Sequence, residues 1–145
     1  LLTKPEDQYR ALLEATVFGA RVIIENFEQH GVEITEIVAA GGLLKNAFLM
    51  QLFADICRRP LSTATSSQAP ALGAAIYAAV AAGLYPDVFA ASAAMGGKVE
   101  NQYAPNEERA LEYDPIYAEY LKLHDYFGRG GNDVMYKLRQ IQKGA

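Results

Sequence analysis

VAAGGLLKNAFLMQ, residues 38–51, carries the clearest structural signal in the sequence. A β-branched apolar segment leads into Gly41-Gly42, and an amphipathic pattern follows, which predicts a strand, a tight turn and a helix. At such a junction the free N–H groups of the first helical turn point at whatever lies above the strand. Glycines there let a ligand approach the backbone closely. The stretch therefore predicts a site for an anionic or nucleotide ligand.

A glycine pair after a strand is often only a turn, so the interpretation needs a second signal. One is the spacing Gly-Gly-x-x-x-Asn, and another is the stretch QAPALGAA at residues 68–75. Together they resemble the C-terminal half of the FGGY family of carbohydrate kinases, which belong to the actin-like ATPase superfamily. The matching positions are Gly41, Gly42, Asn46, Ala54-Asp55 and Leu72 to Ala75. Within that family, residues 113–137 look most like the L-ribulokinases.

The resemblance covers nearly the whole chain and implies its fold class. That class is α/β: a partial actin-like ATPase (ribonuclease H-like) domain of parallel strands with helical crossovers, plus C-terminal helices. Residues 1–145 would be the C-terminal part of the nucleotide-binding domain, without the N-terminal sugar-binding domain. Leu1 is not a start methionine, and we expect the chain to be a piece of a longer protein.

The resemblance also implies a reaction and a site. The intact enzyme would use ATP and Mg²⁺ to phosphorylate L-ribulose in arabinose breakdown, giving L-ribulose 5-phosphate. Gly41 and Gly42 would lie against the α-phosphate and adenosine, and Asn46 would bond the adenine edge. Leu43, with Leu44, could form an apolar wall beside the adenine.

We expect no catalytic residue and no metal ligand in this chain. The family's catalytic Asp and its Asp-x-Gly-Thr motif belong to the N-terminal part, and the motif is absent from these residues. Asp55, Asp87 and Asp114 are predicted to lie on helix faces or caps without a matched partner. The chain alone should be inactive. Two alternatives stay open: another FGGY kinase, for xylulose or glycerol, and an actin-like nucleotide-dependent chaperone or regulator.

Composition excludes several other classes of protein. The 145 residues are 51% apolar and 21% charged, as expected of one soluble domain. A net charge of −4 without a basic patch argues against a nucleic-acid partner, and no apolar run suits a membrane span. The single cysteine, Cys57, is predicted to be a buried thiol in a cytoplasmic protein. The sequence leaves a homo-oligomer open.

Periodicity predicts the order of elements. The apolar spacing over residues 6–30 is helical, with Gly31 as its C-terminal cap. The two strands joined by a crossover helix should be parallel, and the rest of the sheet should come from outside this chain. Phe48, Leu49, Leu52, Phe53 and Ile56 should be buried, and the alanine-rich helix should pack tightly against the sheet. Two strands are predicted, at 33–40 and 61–65. The further helices are predicted at 46–58, from Ser66 or Ser67 to Gly83, from Asp114-Pro115 onward and at 133–142. Residues 85–106 should form a loop with a short helix.

Overall fold

The computed structural model describes residues 2–144, apart from the side chains of residues 100 and 101. Six α-helices, three strands and one 3₁₀ turn make up this part of the chain. In chain order they are α1 (Pro5–Gln29), β1 (Ile37–Ala39), the 3₁₀ turn (Gly42–Lys45), α2 (Ala47–Cys57), β2 (Leu61–Ala64), α3 (Ala69–Ala81), α4 (Val88–Met95), β3 (Lys98–Tyr103), α5 (Glu107–Gly128) and α6 (Val134–Gly144).

The sheet has the order β1-β2-β3, and its first pair is parallel as predicted, with Ala39 opposite Thr63. β3 pairs antiparallel with β2 and lies where a loop was predicted, so that prediction was wrong for residues 98–103. The third strand also comes from this chain and not from outside it. The strand KVENQY lacks an apolar alternation, and pairing with β2 decides its conformation.

The core lies between α1, α2, β2 and α5. Phe18 of α1 is 3% exposed and packs against Tyr113, Tyr117 and Tyr120 of α5, with ring centroids 6.2, 5.6 and 5.4 Å away. Leu49, Leu52 and Ile56 are buried as predicted, and Phe53 is partly buried against the same cluster. Phe48 is 50% exposed, so its predicted burial was wrong: it lies in the first turn of α2 beside a surface cavity.

Two helix starts differ from the prediction. α5 begins at Glu107, with Asn106 as its cap through a 3.0 Å bond from the N–H of Arg109, and Pro115 lies inside the helix. At the start of α3, the hydroxyl of Ser66 accepts a bond from the N–H of Gln68, which is the capping residue. The alanine-rich α3 packs mainly against α4 and not tightly against the sheet.

Asp55, Asp87 and Asp114 were predicted to have no matched partner, and this prediction was wrong for Asp55 and Asp114. The Asp55 side chain is 1% exposed; its Oδ1 accepts bonds from the Gln51 amide at 2.7 Å and from the Asn106 N–H at 2.8 Å. Asp114 pairs with Arg21 at 3.0 Å and Arg58 at 2.7 Å, because α5 continues through it and packs beside α1 and α2. The third acid, Asp87, caps α4 through the N–H of residue 90.

Arg58 closes α2 in a left-handed conformation, with φ of 52°. The neighbouring Cys57 is buried as predicted, and burial raises the pKa of its thiol to about 12. Gly31 follows α1 with φ of 83°, in agreement with its predicted role in ending that helix. Within residues 2–144, no helix combines the length and the apolar content that a membrane crossing requires.

Candidate functional site

The glycine turn after β1 requires glycine at its first position. Gly41 has φ of 89° and ψ of −159°, a conformation that essentially only glycine adopts. Its carbonyl oxygen accepts a 3.3 Å bond from the N–H of Leu44, which closes the turn into the 3₁₀ segment. A Cβ atom built on Gly41 would contact nothing within 4 Å. Backbone conformation, and not crowding, therefore explains this glycine.

Gly42 differs from its neighbour in a way that bears on ligand binding. It does not have a positive φ, and a Cβ atom built on it would also meet nothing within 4 Å. Neither the backbone nor the packing of this chain requires a glycine here. The space in front of Gly42 is open, so another molecule can come close to this part of the backbone.

Asn46 links the turn to α2. Its side-chain Oδ1 accepts a 3.0 Å bond from the N–H of Leu49, which makes Asn46 the N-terminal cap of α2. The side chain's carbonyl oxygen is thus already engaged, while its NH₂ group can donate to a neighbouring acceptor. Asn46 has a structural role that the sequence did not reveal, and its predicted adenine contact stays a prediction.

Leu43 and Leu44 have different surroundings. Leu43 is 59% exposed and borders an apolar cavity of about 240 Å³. Leu44 is partly buried against the hydrophobic core. Of the two leucines, Leu43 is the one available to a flat apolar group. The residues that share this cavity are Ile37, Ala39, Ala40, Met50, Phe53 and Leu61.

The strand topology brings a second segment to the same edge. β1 and β2 are parallel neighbours, so residues 40–42 and 65–68 both follow carboxyl ends of strands. Ligands of open α/β sheets bind at this edge. α3 begins directly after Gln68 without a side-chain cap, which leaves N–H groups of its first turn available. From the sequence, Ser66 and Ser67 were predicted only as helix caps. The predicted parallel pairing of β1 and β2 already implied that they lie at the same edge of the sheet as Gly41 and Gly42.

The edge suits an anion because two helices start there. The N-terminal ends of α2 and α3 carry partial positive charge. Residues 40–46 and 65–68 contain no Asp or Glu, and Lys45 adds a positive charge. The arrangement can hold phosphate groups by backbone N–H donors, but it offers no carboxylate to a divalent cation.

Residues 2–82 match the sequence profile described as "FGGY family of carbohydrate kinases, C-terminal domain". The chain belongs to the FGGY family. An FGGY relative, the ribulokinase of Mycolicibacterium smegmatis, is 55% identical over 139 residues, which cover 96% of this chain and 24% of the relative. The ribulokinase of Geobacillus thermodenitrificans is 50% identical over 150 aligned residues, covering 100% of this chain and 27% of the relative. The chain thus spans about a quarter of the length of these relatives.

Solved structures show the same fold. The xylulose kinase of Lactobacillus acidophilus superposes with a TM-score of 0.72 at 27% identity, over 82% of this chain and 24% of that one. The xylulose kinase of Rhodospirillum rubrum also gives a TM-score of 0.72, at 25% identity, over 86% of this chain and 25% of that one. The FGGY resemblance and the predicted actin-like α/β fold are therefore confirmed.

Proposed function

We propose that this chain is the C-terminal part of the nucleotide-binding domain of an ATP-dependent kinase for L-ribulose. The supporting observation is that three proteins named ribulokinase match 96–100% of the chain at 49–55% identity, and two others match at 34–36%, whereas the xylulose kinases of similar fold reach 25–27%. The sugar-binding part of the kinase lies outside these residues. The same proposal includes a cytoplasmic location. It also includes ATP and the sugar as partners, with a second copy of the protein as the one further partner that stays open.

The residues at the sheet edge fit the ATP part of this proposal. Gly42 leaves room for a phosphate group next to the backbone, and the N-termini of α2 and α3 supply donors and positive potential. The free NH₂ group of Asn46 can donate to an adenine nitrogen, while Leu43 offers apolar contact to the ring. Each role uses a group that the fold of this chain leaves available.

The chain supplies only part of the chemistry. A Mg²⁺ ion would neutralise charge on the phosphates during transfer, and its ligands must come from outside the edge residues because these include no carboxylate. The sugar hydroxyl also needs an acceptor for its proton. The Asp55 side chain is 1% exposed and its Oδ1 already accepts two hydrogen bonds within the domain, so we do not assign it this role. The 145 residues alone should therefore transfer no phosphate.

The reaction is tested by ADP formation in the intact parent protein with Mg-ATP. L-Ribulose, D-ribulose, xylulose and glycerol are compared with a sample that contains no sugar. The proposal expects the largest stimulation with L-ribulose. A preference for xylulose or glycerol would assign the protein to a different sugar within the family. ATP hydrolysis that no sugar changes would instead favour a nucleotide-dependent chaperone or regulator.

The site is tested separately by substitution in the intact parent. Gly42→Asp places bulk and negative charge at the edge, so we expect ATP affinity to fall at least tenfold by calorimetry. Gly144→Asp is the matched control, because its Cβ position is equally open and lies in the last turn of α6. Unchanged ATP affinity in the Gly42 variant would remove this residue from the nucleotide site.

A further inference from the structure

The side-chain amide of Asn46 is held in one orientation by the start of α2. The N–H of Leu49 lies 3.0 Å from its Oδ1 atom. A backbone N–H only donates, so the atom that faces it is the amide oxygen and not the amide nitrogen. The bond keeps this oxygen on the side of the helix. The NH₂ group is therefore the part of the amide that remains available to a ligand.

An amide side chain distinguishes adenine from other purines by a pair of hydrogen bonds. Its NH₂ group donates to a ring nitrogen while its oxygen accepts from the 6-amino group, so both atoms must face the base. With its oxygen directed at the first turn of α2, Asn46 keeps only the donating half of this pair. A single donor fits a ring nitrogen such as N7, which adenine, guanine and hypoxanthine all carry.

The other side chains of the glycine turn provide no acceptor for a 6-amino group. Between Ala40 and Asn46 the only other polar side chain is that of Lys45, and a lysine only donates. The side chains that line the cavity beside Leu43 carry no oxygen or nitrogen atom. A 6-oxo group, which accepts hydrogen bonds and donates none, therefore suits these surroundings at least as well as a 6-amino group.

We propose that the base site accepts 6-oxo purine nucleotides, such as inosine 5′-triphosphate (ITP), as well as ATP, with Asn46 donating to a ring nitrogen that both bases share. This inference rests on the ATP-dependent kinase proposed above and specifies the class of nucleotide that it uses. The base takes no part in the bonds that change. The γ-phosphoryl group passes from the bridging oxygen of the diphosphate to the sugar hydroxyl, which loses its proton, and IDP leaves in place of ADP.

The first test measures the affinities of the intact parent protein for ATP and ITP by calorimetry, without sugar. The two dissociation constants should agree within about threefold. An affinity for ITP more than about tenfold below that for ATP would overturn the inference and leave the proposed kinase function in place. A parent protein that binds neither nucleotide would refute the proposed function, and the inference with it.

Asn46→Ser separates the ligand contact of Asn46 from its capping role. Serine and asparagine cap helices about equally well, so the bond from the N–H of Leu49 is kept while the NH₂ donor is lost. The affinities for ATP and ITP should both fall by about fivefold, as expected for one lost hydrogen bond. The urea midpoint of unfolding should stay the same. A loss confined to ATP would show that Asn46 contacts the 6-amino group, and unchanged affinities would remove Asn46 from the base site; either result contradicts the proposal.

Asn106→Ser is the matched control. Asn106 caps α5 by the same kind of bond, from the N–H of Arg109 at 3.0 Å. Tyr103 at the end of β3 lies opposite Leu61 at the start of β2, so Asn106 follows the strand at the opposite edge of the sheet from the glycine turn. This variant should leave both nucleotide affinities unchanged. A loss as large as that of Asn46→Ser would show that the effect comes from altered capping and would overturn the assigned contact.

Discussion

Alanine in place of Gly41 tests the backbone conformation of the turn that follows β1. Gly41 has φ of 89° and ψ of −159°, whereas Gly42 has no positive φ. A Cβ atom would meet no other atom within 4 Å at either position. Gly41→Ala and Gly42→Ala therefore add the same atom to the same kind of open space, and they differ only in backbone strain.

The expected difference follows from two opposing contributions. Holding alanine in the conformation of Gly41 costs about 1–3 kcal/mol. Alanine also lowers the conformational entropy of the unfolded chain, which stabilises the fold by about 0.4–1 kcal/mol. Because both variants gain the entropic contribution, Gly41→Ala should have a free energy of unfolding about 1–3 kcal/mol lower than that of Gly42→Ala. Gly42→Ala gains only the entropic contribution and should be neutral or slightly stabilising.

Equilibrium urea unfolding of the 145-residue chain, followed by circular dichroism, measures this difference. With a denaturant slope of about 2 kcal/mol/M, the midpoint for Gly41→Ala should lie about 0.5–1.5 M below that of Gly42→Ala. The Gly42→Ala midpoint should stay the same or rise. Equal midpoints for the two variants, or a stabilised Gly41 variant, would refute the glycine-only conformation of Gly41.

Three further predictions use the same unfolding measurement or thiol chemistry. Asp55→Ala should cost about 2–4 kcal/mol because the side chain of Gln51 and the N–H of Asn106 both lose their hydrogen bond to a buried carboxylate. Asp55→Asn keeps one acceptor oxygen and should cost about 1 kcal/mol; similar small losses in both variants would contradict this. The Cys57 thiol should react with iodoacetamide far more slowly than in the unfolded chain, since burial raises its pKa from 9.0 to about 12. The free energy of unfolding should fall as the pH rises from about 9 towards 12, because the thiol of the unfolded chain ionises first. Cys57→Ala should make the free energy of unfolding depend less steeply on pH in this range. Arg58→Gly and Arg58→Ala lose the same ion pairs, so the glycine variant should be more stable by about 1 kcal/mol if the left-handed φ of 52° is strained, and equal stability would contradict that strain.

Local periodicity was enough to predict the part of the fold that carries the candidate site. The helical spacing of α1, the glycine turn and the parallel pair β1-β2 follow from patterns within about 30 residues, and all three were confirmed. The positions of Gly41, Gly42, Leu43 and Asn46 at the edge follow from the same patterns. The sequence did not indicate that the side-chain oxygen of Asn46 caps α2 by accepting a hydrogen bond from the N–H of Leu49.

Elements that depend on distant contacts were predicted less well. β3 has a polar sequence, and its antiparallel pairing with β2 determines its structure. At α5, Pro115 was given the position of a first helical residue, although Asn106 followed by Glu107 and Glu108 is itself a typical helix start. The partners of Asp114 lie 93 and 56 residues away in sequence, and no local pattern indicates such pairs.

The separation of α3 and α4 from the main core has a consequence for nucleotide binding. These two helices bury Ile76, Ala79 and Ala91, none of which belongs to the cluster formed by α1, α2, β2 and α5. Segments with few core contacts open locally at a lower free energy than the whole domain, so the amide hydrogens of α3 should exchange faster than those of α2. The N-terminus of α3 is one of the two helix starts at the edge of the sheet where the nucleotide is proposed to bind. A phosphate bound there would therefore restrain the local opening of α3. Ordering α3 would then offset part of the favourable free energy of phosphate binding. The observed affinity for the nucleotide would be lower than for a site whose α3 is already ordered.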